Sequence, residues 1–235
     1  MRKKVLWVVL VVSLALNAVF ASWFTFDIVV NRIIKKDSVV SIAEASKPGF
    51  IGPITRIRIK NALRKYIEDG FDDDGLRYIS KDIDIEKAYV SPFNEFNCVK
   101  AAAQIIGLKE QIRSDEASLQ NLRRSAQMQP DNVSTQMQIE MFERRIRENR
   151  QAIITNERII LKRDTHRDGK FMGYCVRHRF TIKDDEGDYN DYIERFVLNS
   201  NGKRVTLHQS LQYWDSTNFD KTSEVIWGVI ADNDK

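Results

Sequence analysis

Ile139, Ile146, Ile153 and Ile160 stand seven residues apart, and Ile105, Ile112 and Leu119 repeat that interval earlier in the chain. Seven residues make nearly two helical turns, so each series lays an apolar seam along one helix. Phe142, Asn149 and Asn156 interleave with the first series, and Leu108, Asp115 and Leu122 with the second. Between the two lies Gln129-Pro130-Asp131-Asn132-Val133-Ser134. Pro130 cannot continue a helix, and Ser134 carries a side chain suited to capping the next one. A connection this short makes its helices antiparallel neighbours. Residues 98–163 are therefore expected to form an antiparallel two-helix coiled-coil hairpin arm, each helix about 30 residues and roughly 45 Å long.

Pairing outward from the turn sets Leu122 opposite Ile139, Leu119 opposite Phe142, Asp115 opposite Ile146, Ile112 opposite Asn149, Leu108 opposite Ile153 and Ile105 opposite Asn156. Apolar layers near the tip thus give way to mixed layers towards the base. A polar residue in a seam lowers stability and fixes register. An incomplete two-helix seam predicts a third helix or a second copy. On this reading Ile112, Asp115, Leu119, Phe142, Ile146, Asn149 and Ile153 are the candidate partner-binding residues. The competing reading packs both helices on the main domain.

The N-terminus bears on the compartment. Arg2, Lys3 and Lys4 precede the run Val5 to Phe26, which is apolar apart from Ser13, Asn17, Ser22 and Thr25. A hydrocarbon core of about 30 Å is crossed by about 20 such residues as helix. Residues 1–4 are expected to be a short cytoplasmic tail and 5–26 a transmembrane anchor. A cleaved secretory signal ending at Val19-Phe20-Ala21 is the rival, but the apolar run continues through Trp23, Phe24 and Phe26. Cations flank both ends of the run. A basic tail ahead of a first apolar segment favours a cytoplasmic N-terminus, with the C-terminal domain periplasmic or extracellular, on a single pass through the inner (plasma) membrane. Residues 27–53 read as a juxtamembrane helix and linker, broken at Lys47-Pro48-Gly49-Phe50-Ile51-Gly52-Pro53.

Segments 54–97 and 164–235 read as one α+β domain: a small antiparallel sheet packed with one helix, with the hairpin inserted. Ile54 to Asp69 is helical, with Ile57, Ala62, Leu63, Tyr66 and Ile67 on its apolar side. Ile83 to Val90 is a strand. From Phe171 the period becomes two, with Tyr174, Val176, His178, Phe180 and Ile182 on one face. Strands are expected at Tyr189 to Leu198, Lys203 to Trp214 and Ser223 to Ala231, with a tight turn at Asn199 to Gly202.

The chemistry-bearing residues are sparse. The acidic stretch Asp69 to Gly75 has Gly70 and Lys81 where a calcium loop needs acids. No histidine has a Cys, Asp or Glu at ligand spacing, and no nucleophile or phosphate-loop motif occurs. No catalytic residue, cofactor or metal is expected, and His178 reads as a core residue. Arg177 and Arg179 are solvated sheet cations by default, with an anionic ligand as the alternative. Cys98 falls opposite Arg163 at the arm's base, and Cys175 lies in the next strand. A Cys98–Cys175 disulfide would staple arm to sheet in an oxidising compartment. The chain's net charge is +4, and its basic excess lies in the arm.

These features point to a non-catalytic scaffold or interaction protein of a cell-envelope assembly, with the membrane and partner proteins, or a second copy, as its contacts. The alternatives are a membrane-anchored sensory domain with a ligand on a concave sheet around Tyr174, Tyr192, Phe196 and Trp227, and, lower, a cytosol-facing protein whose basic arm binds nucleic acid. On the leading reading no nucleic acid is expected.

Overall fold

The computed structural model describes residues 49–70, 77–183 and 187–233. The expected tail, anchor and juxtamembrane helix, most of the acidic stretch after Asp69, and part of the turn after Lys183 lie outside them. Thr55–Lys235 forms one compact unit. In chain order its elements are helix α1 (Pro53–Gly70), strand β1 (Arg77–Tyr89), helices α2 (Phe96–Met128) and α3 (Val133–Leu161), a 3-10 turn (Thr165–Arg167), strands β2 (Phe171–Lys183), β3 (Tyr189–Asn199) and β4 (Val205–Ser210), and helix α4 (Phe219–Asn233).

The fold is α+β, built on a four-stranded antiparallel sheet of order β1-β2-β3-β4. The arm leaves the chain between β1 and β2, and those two strands then pair across it, Ile85 with Val176 and Ile83 with His178. The other pairings are hairpins. Gly173 permits the close approach of β2 to β3, since a Cβ there would stand 1.8 Å from the Leu198 carbonyl oxygen. Asn199 organises the β3–β4 turn: its side-chain oxygen accepts from the Lys203 and Arg204 amides, and Gly202 takes φ +67°.

Alternation places Val176, His178, Phe180, Phe196 and Leu198 on one sheet face. Helix α1 covers it with Ile59, Leu63 and Ile67, which are buried four residues apart. Tyr66 sets its ring edge-on to Phe196 at 5.9 Å. Ile57, expected on this stripe, is 48% exposed, because the helical period that buries Ile59 and Leu63 turns it outward.

The opposite face carries Ala88, Val197 and Leu207. These pack with Cys98, Val99, Ala101, Ala102 and Ile105 of α2, Ile160 of α3 and Ile226 of α4 in one core cluster. Both faces are covered, which is why residues 194–198 of β3 are all buried rather than alternately so.

Four expectations are corrected. Ser223 to Ala231 is not a strand but part of α4. Val225, Trp227 and Val229 fit period two, yet Val225, Ile226, Val229 and Ile230 also fit one helix face, and the core takes that face. Asn218 caps this helix, its side-chain oxygen accepting from the Lys221 amide at 2.9 Å. The sheet therefore packs against more than one helix. The cap of α3 is Asn132, which accepts from the Thr135 amide at 3.1 Å, and Ser134 lies inside the helix. Finally, β4 spans only Val205–Ser210, short of the expected Trp214.

Candidate functional site

The arm is the largest feature not consumed by the core. The core cluster, with the side chains packed against it, reaches along α2 to Ile105 and along α3 to Ile153. Towards the tip, burial comes from the two helices themselves: Asp115, Leu119 and Ile146 are buried between them. Asp115 is 2% exposed, and Arg145 grips both its oxygens, Nε donating to Oδ2 at 2.7 Å and Nη2 to Oδ1. The guanidinium also lies 4.8 Å from the Phe142 ring centre. Arg123–Glu143 and Arg150–Glu116, both at 2.8 Å, bridge the helices at the surface. The Asn149 side-chain nitrogen is buried without a hydrogen-bond partner, the kind of seam defect that the mixed layers foreshadowed.

None of the seven residues expected to bind a partner is exposed. Asp115, Leu119 and Ile146 are buried, and Ile112, Phe142, Asn149 and Ile153 are half-buried. What the distal arm offers to solvent is a different set. Met128 is 83% exposed, Val133 66%, Met137 67% and Met141 42%. Val133, Met137 and Met141 succeed one another every four residues and so form one stripe of α3. Arg124 and Arg147 stand with the bridging arginines around a groove floored by Leu119 and Ile146.

His178 is fully buried. Its Nδ1 lies 2.8 Å from the Asp82 carbonyl, which only accepts, so Nδ1 carries the proton and Nε2 accepts from the Tyr78 hydroxyl at 2.6 Å. Burial pushes its pKa below the ordinary imidazole value, against a smaller upward pull from the Asp82 carbonyl. This is a satisfied neutral core histidine.

Both thiols are free, so the expected Cys98–Cys175 bridge is absent here. Each side chain is turned to a different partner. Cys98 donates to Glu95 Oε2 at 3.7 Å, and burial pushes its pKa up to about 11 despite the nearby Arg163 charge. Burial also raises the Cys175 pKa, with the Arg195 charge pulling it back down. A thiol held protonated is a poor nucleophile and metal ligand.

The expected concave aromatic site does not form. Phe196 lies beneath α1, and Trp227 sits on α4 at the other side of the sheet, 61% exposed and 5.4 Å from Phe93. Among the described residues, no three His, Cys, Asp or Glu side chains group as metal ligands, and no helix is long and apolar enough to cross a membrane.

Two arrangements had no clear sequence signal. His208 Nε2 lies 3.2 Å from the buried Glu194 carboxylate, and its ring stacks on Phe196 at 4.5 Å. Arg195 is 8% exposed. Its guanidinium donates to Gln209 Oε1 at 2.8 Å and to Asn94 Oδ1, and lies 4.5 Å from the Phe219 ring centre. Period two placed Arg195 in a strand, but its burial depends on Asn94 and Phe219, contributed by two distant segments.

No protein-family model, curated protein or solved structure matches this chain. The functional reading therefore rests on the geometry of the arm and the sheet.

Proposed function

We propose that this chain is a membrane-anchored, exported, non-catalytic scaffold of a cell-envelope assembly that holds a partner protein against the distal half of its helical arm. The observation that carries the reading is the stripe of Val133, Met137 and Met141 with Met128 at the arm's tip, beyond the reach of the core. Methionines are flexible and polarizable, and they suit a surface that adapts to an apolar partner. The seven seam residues then act by stiffening the arm. The anchor at residues 5–26 and the cytoplasmic N-terminus belong to the same proposal, supported by the long apolar run behind Arg2, Lys3 and Lys4.

Two experiments test it in cells. A phosphatase active only after export is fused behind Lys235, and its activity is expected. Photo-cross-linking side chains are placed at Met137 and Met141, with Lys203 on the β3–β4 turn as control. One discrete adduct with an envelope protein is expected from both tip positions and not from the control. An inactive fusion sinks the export reading. Loss of the adduct at both tip positions in intact membranes sinks the docking reading.

A further inference from the structure

Charged side chains are rarely fully buried unless paired, because the lost hydration is costly. Arg195 departs from this rule. Its guanidinium is held by neutral groups, the Gln209 and Asn94 carbonyl oxygens and the Phe219 ring. No carboxylate oxygen among the described residues lies within 4.0 Å of it. A guanidinium has five N–H donors; the two side-chain oxygens each take one, and the neighbouring Cys175 thiol is a further, neutral contact.

A second cation stands beside the first. Arg177 of β2 is the register partner of Arg195 in β3; like charges directly opposite on a sheet repel, and Asp84 of β1, opposite Arg177 on its other side, offsets part of this. Both arginines line one cavity of about 600 Å³ between the sheet, the segment after β1 and the start of α4. Arg195 forms its polar wall, while Tyr89, Leu211 and Phe219 supply apolar surface. Lys87, Glu86 and Asp220 also line it, and the two carboxylates disfavour a multiply charged anion.

We propose that this cavity binds a small organic monocarboxylate, its carboxylate on the Arg195 guanidinium and its hydrocarbon part against Tyr89, Leu211 and Phe219. The fork of N–H donors matches a carboxylate in geometry and charge. Arg177 at the rim adds attraction. The site lies on the sheet and is independent of the arm, so its failure leaves the docking proposal untouched.

The test uses the full chain in a neutral detergent, with sodium propionate and sodium cyclohexanecarboxylate as probes. Sodium chloride, phosphate and citrate at equal ionic strength are the comparisons. Thermal unfolding is followed by tryptophan fluorescence. A saturable rise in Tm is expected with the monocarboxylates, roughly 5 °C at a hundredfold excess over Kd. Arg195→Met removes the rise, and Arg177→Gln, at an exposed position, raises Kd about tenfold. If Arg195→Met does not fold, the Arg177→Gln result decides. The proposal is overturned if no monocarboxylate shifts Tm, if the rise is unsaturable and equal to that from chloride, if phosphate or citrate shifts it more, or if Arg177→Gln leaves Kd unchanged.

Discussion

The buried Asp115 carboxylate and its partner Arg145 are unequally placed, and the inequality predicts unequal mutants. The Asp115 side chain is 3% exposed and the Arg145 side chain 40%. Arg145→Met keeps the stem and its contact with Phe142 but strips the carboxylate of its cationic partner. A buried charge left unpaired costs about 3 kcal/mol. Asp115→Leu does the reverse. The freed guanidinium already reaches water, and the new side chain joins Leu119 and Ile146 in the seam. Its effect is expected to lie between neutral and about 1 kcal/mol stabilising. Because the core reaches only to Ile105 and Ile153, the change appears as local opening of the distal arm, which amide hydrogen exchange resolves. Arg145→Met should lower protection over 112–122 and 142–150 about a hundredfold, with the sheet amides unchanged. Asp115→Leu should hold or raise it. Equal losses in the two variants would refute the argument, since the pair would then contribute net attraction rather than compensate for burial.

Other outcomes follow from single groups. His178 is buried neutral with a lowered pKa, so the unfolded chain binds its proton first. Stability falls as pH drops below about 6.5, and His178→Gln should flatten that slope in urea titrations between pH 7 and 5. Asp168 and Asp191, both lowered chiefly by hydrogen bonds from Arg163 and Lys81, act in a separate window below about pH 4. Cys98 shifts the other way, from 9.0 up to about 11. Stability should be lost as pH rises through that interval, and Cys98→Ala should reduce the alkaline slope, the raised Cys175 thiol keeping part of it. Gly173→Ala forces a methyl onto the Leu198 carbonyl and should cost about 3 kcal/mol by denaturant unfolding. Met137→Glu with Met141→Glu, both at exposed positions, should leave the urea midpoint within about 0.5 kcal/mol while abolishing the tip adduct.

The elements legible from sequence are those whose signal is local. The heptads and Pro130 place α2 and α3 to within a few residues, period two places β2 and β3, and Asn199 with Gly202 places the turn between β3 and β4. Helix α4 defeated the same logic because a short apolar run satisfies both periods, and only the core face it meets decides between them. The sequence also marked a polar residue in the seam at Asp115. Its grip by Arg145, one position from the expected partner Ile146, required the helices to be docked.

What the chain determines alone is where helices and strands begin, which stripe of each is apolar, and where seams are imperfect. These follow from backbone periodicity and local capping. What tertiary structure decided is which surface covers each stripe. It put α1 on one sheet face and the arm's base with α4 on the other, buried or half-buried the seven seam residues, and left Met128, Met137 and Met141 exposed. It also enclosed Arg195 among segments that meet only when folded. Burial is the property that sets charge cost, pKa and accessibility, and it belongs to the assembled neighbours of a residue rather than to its position in the chain.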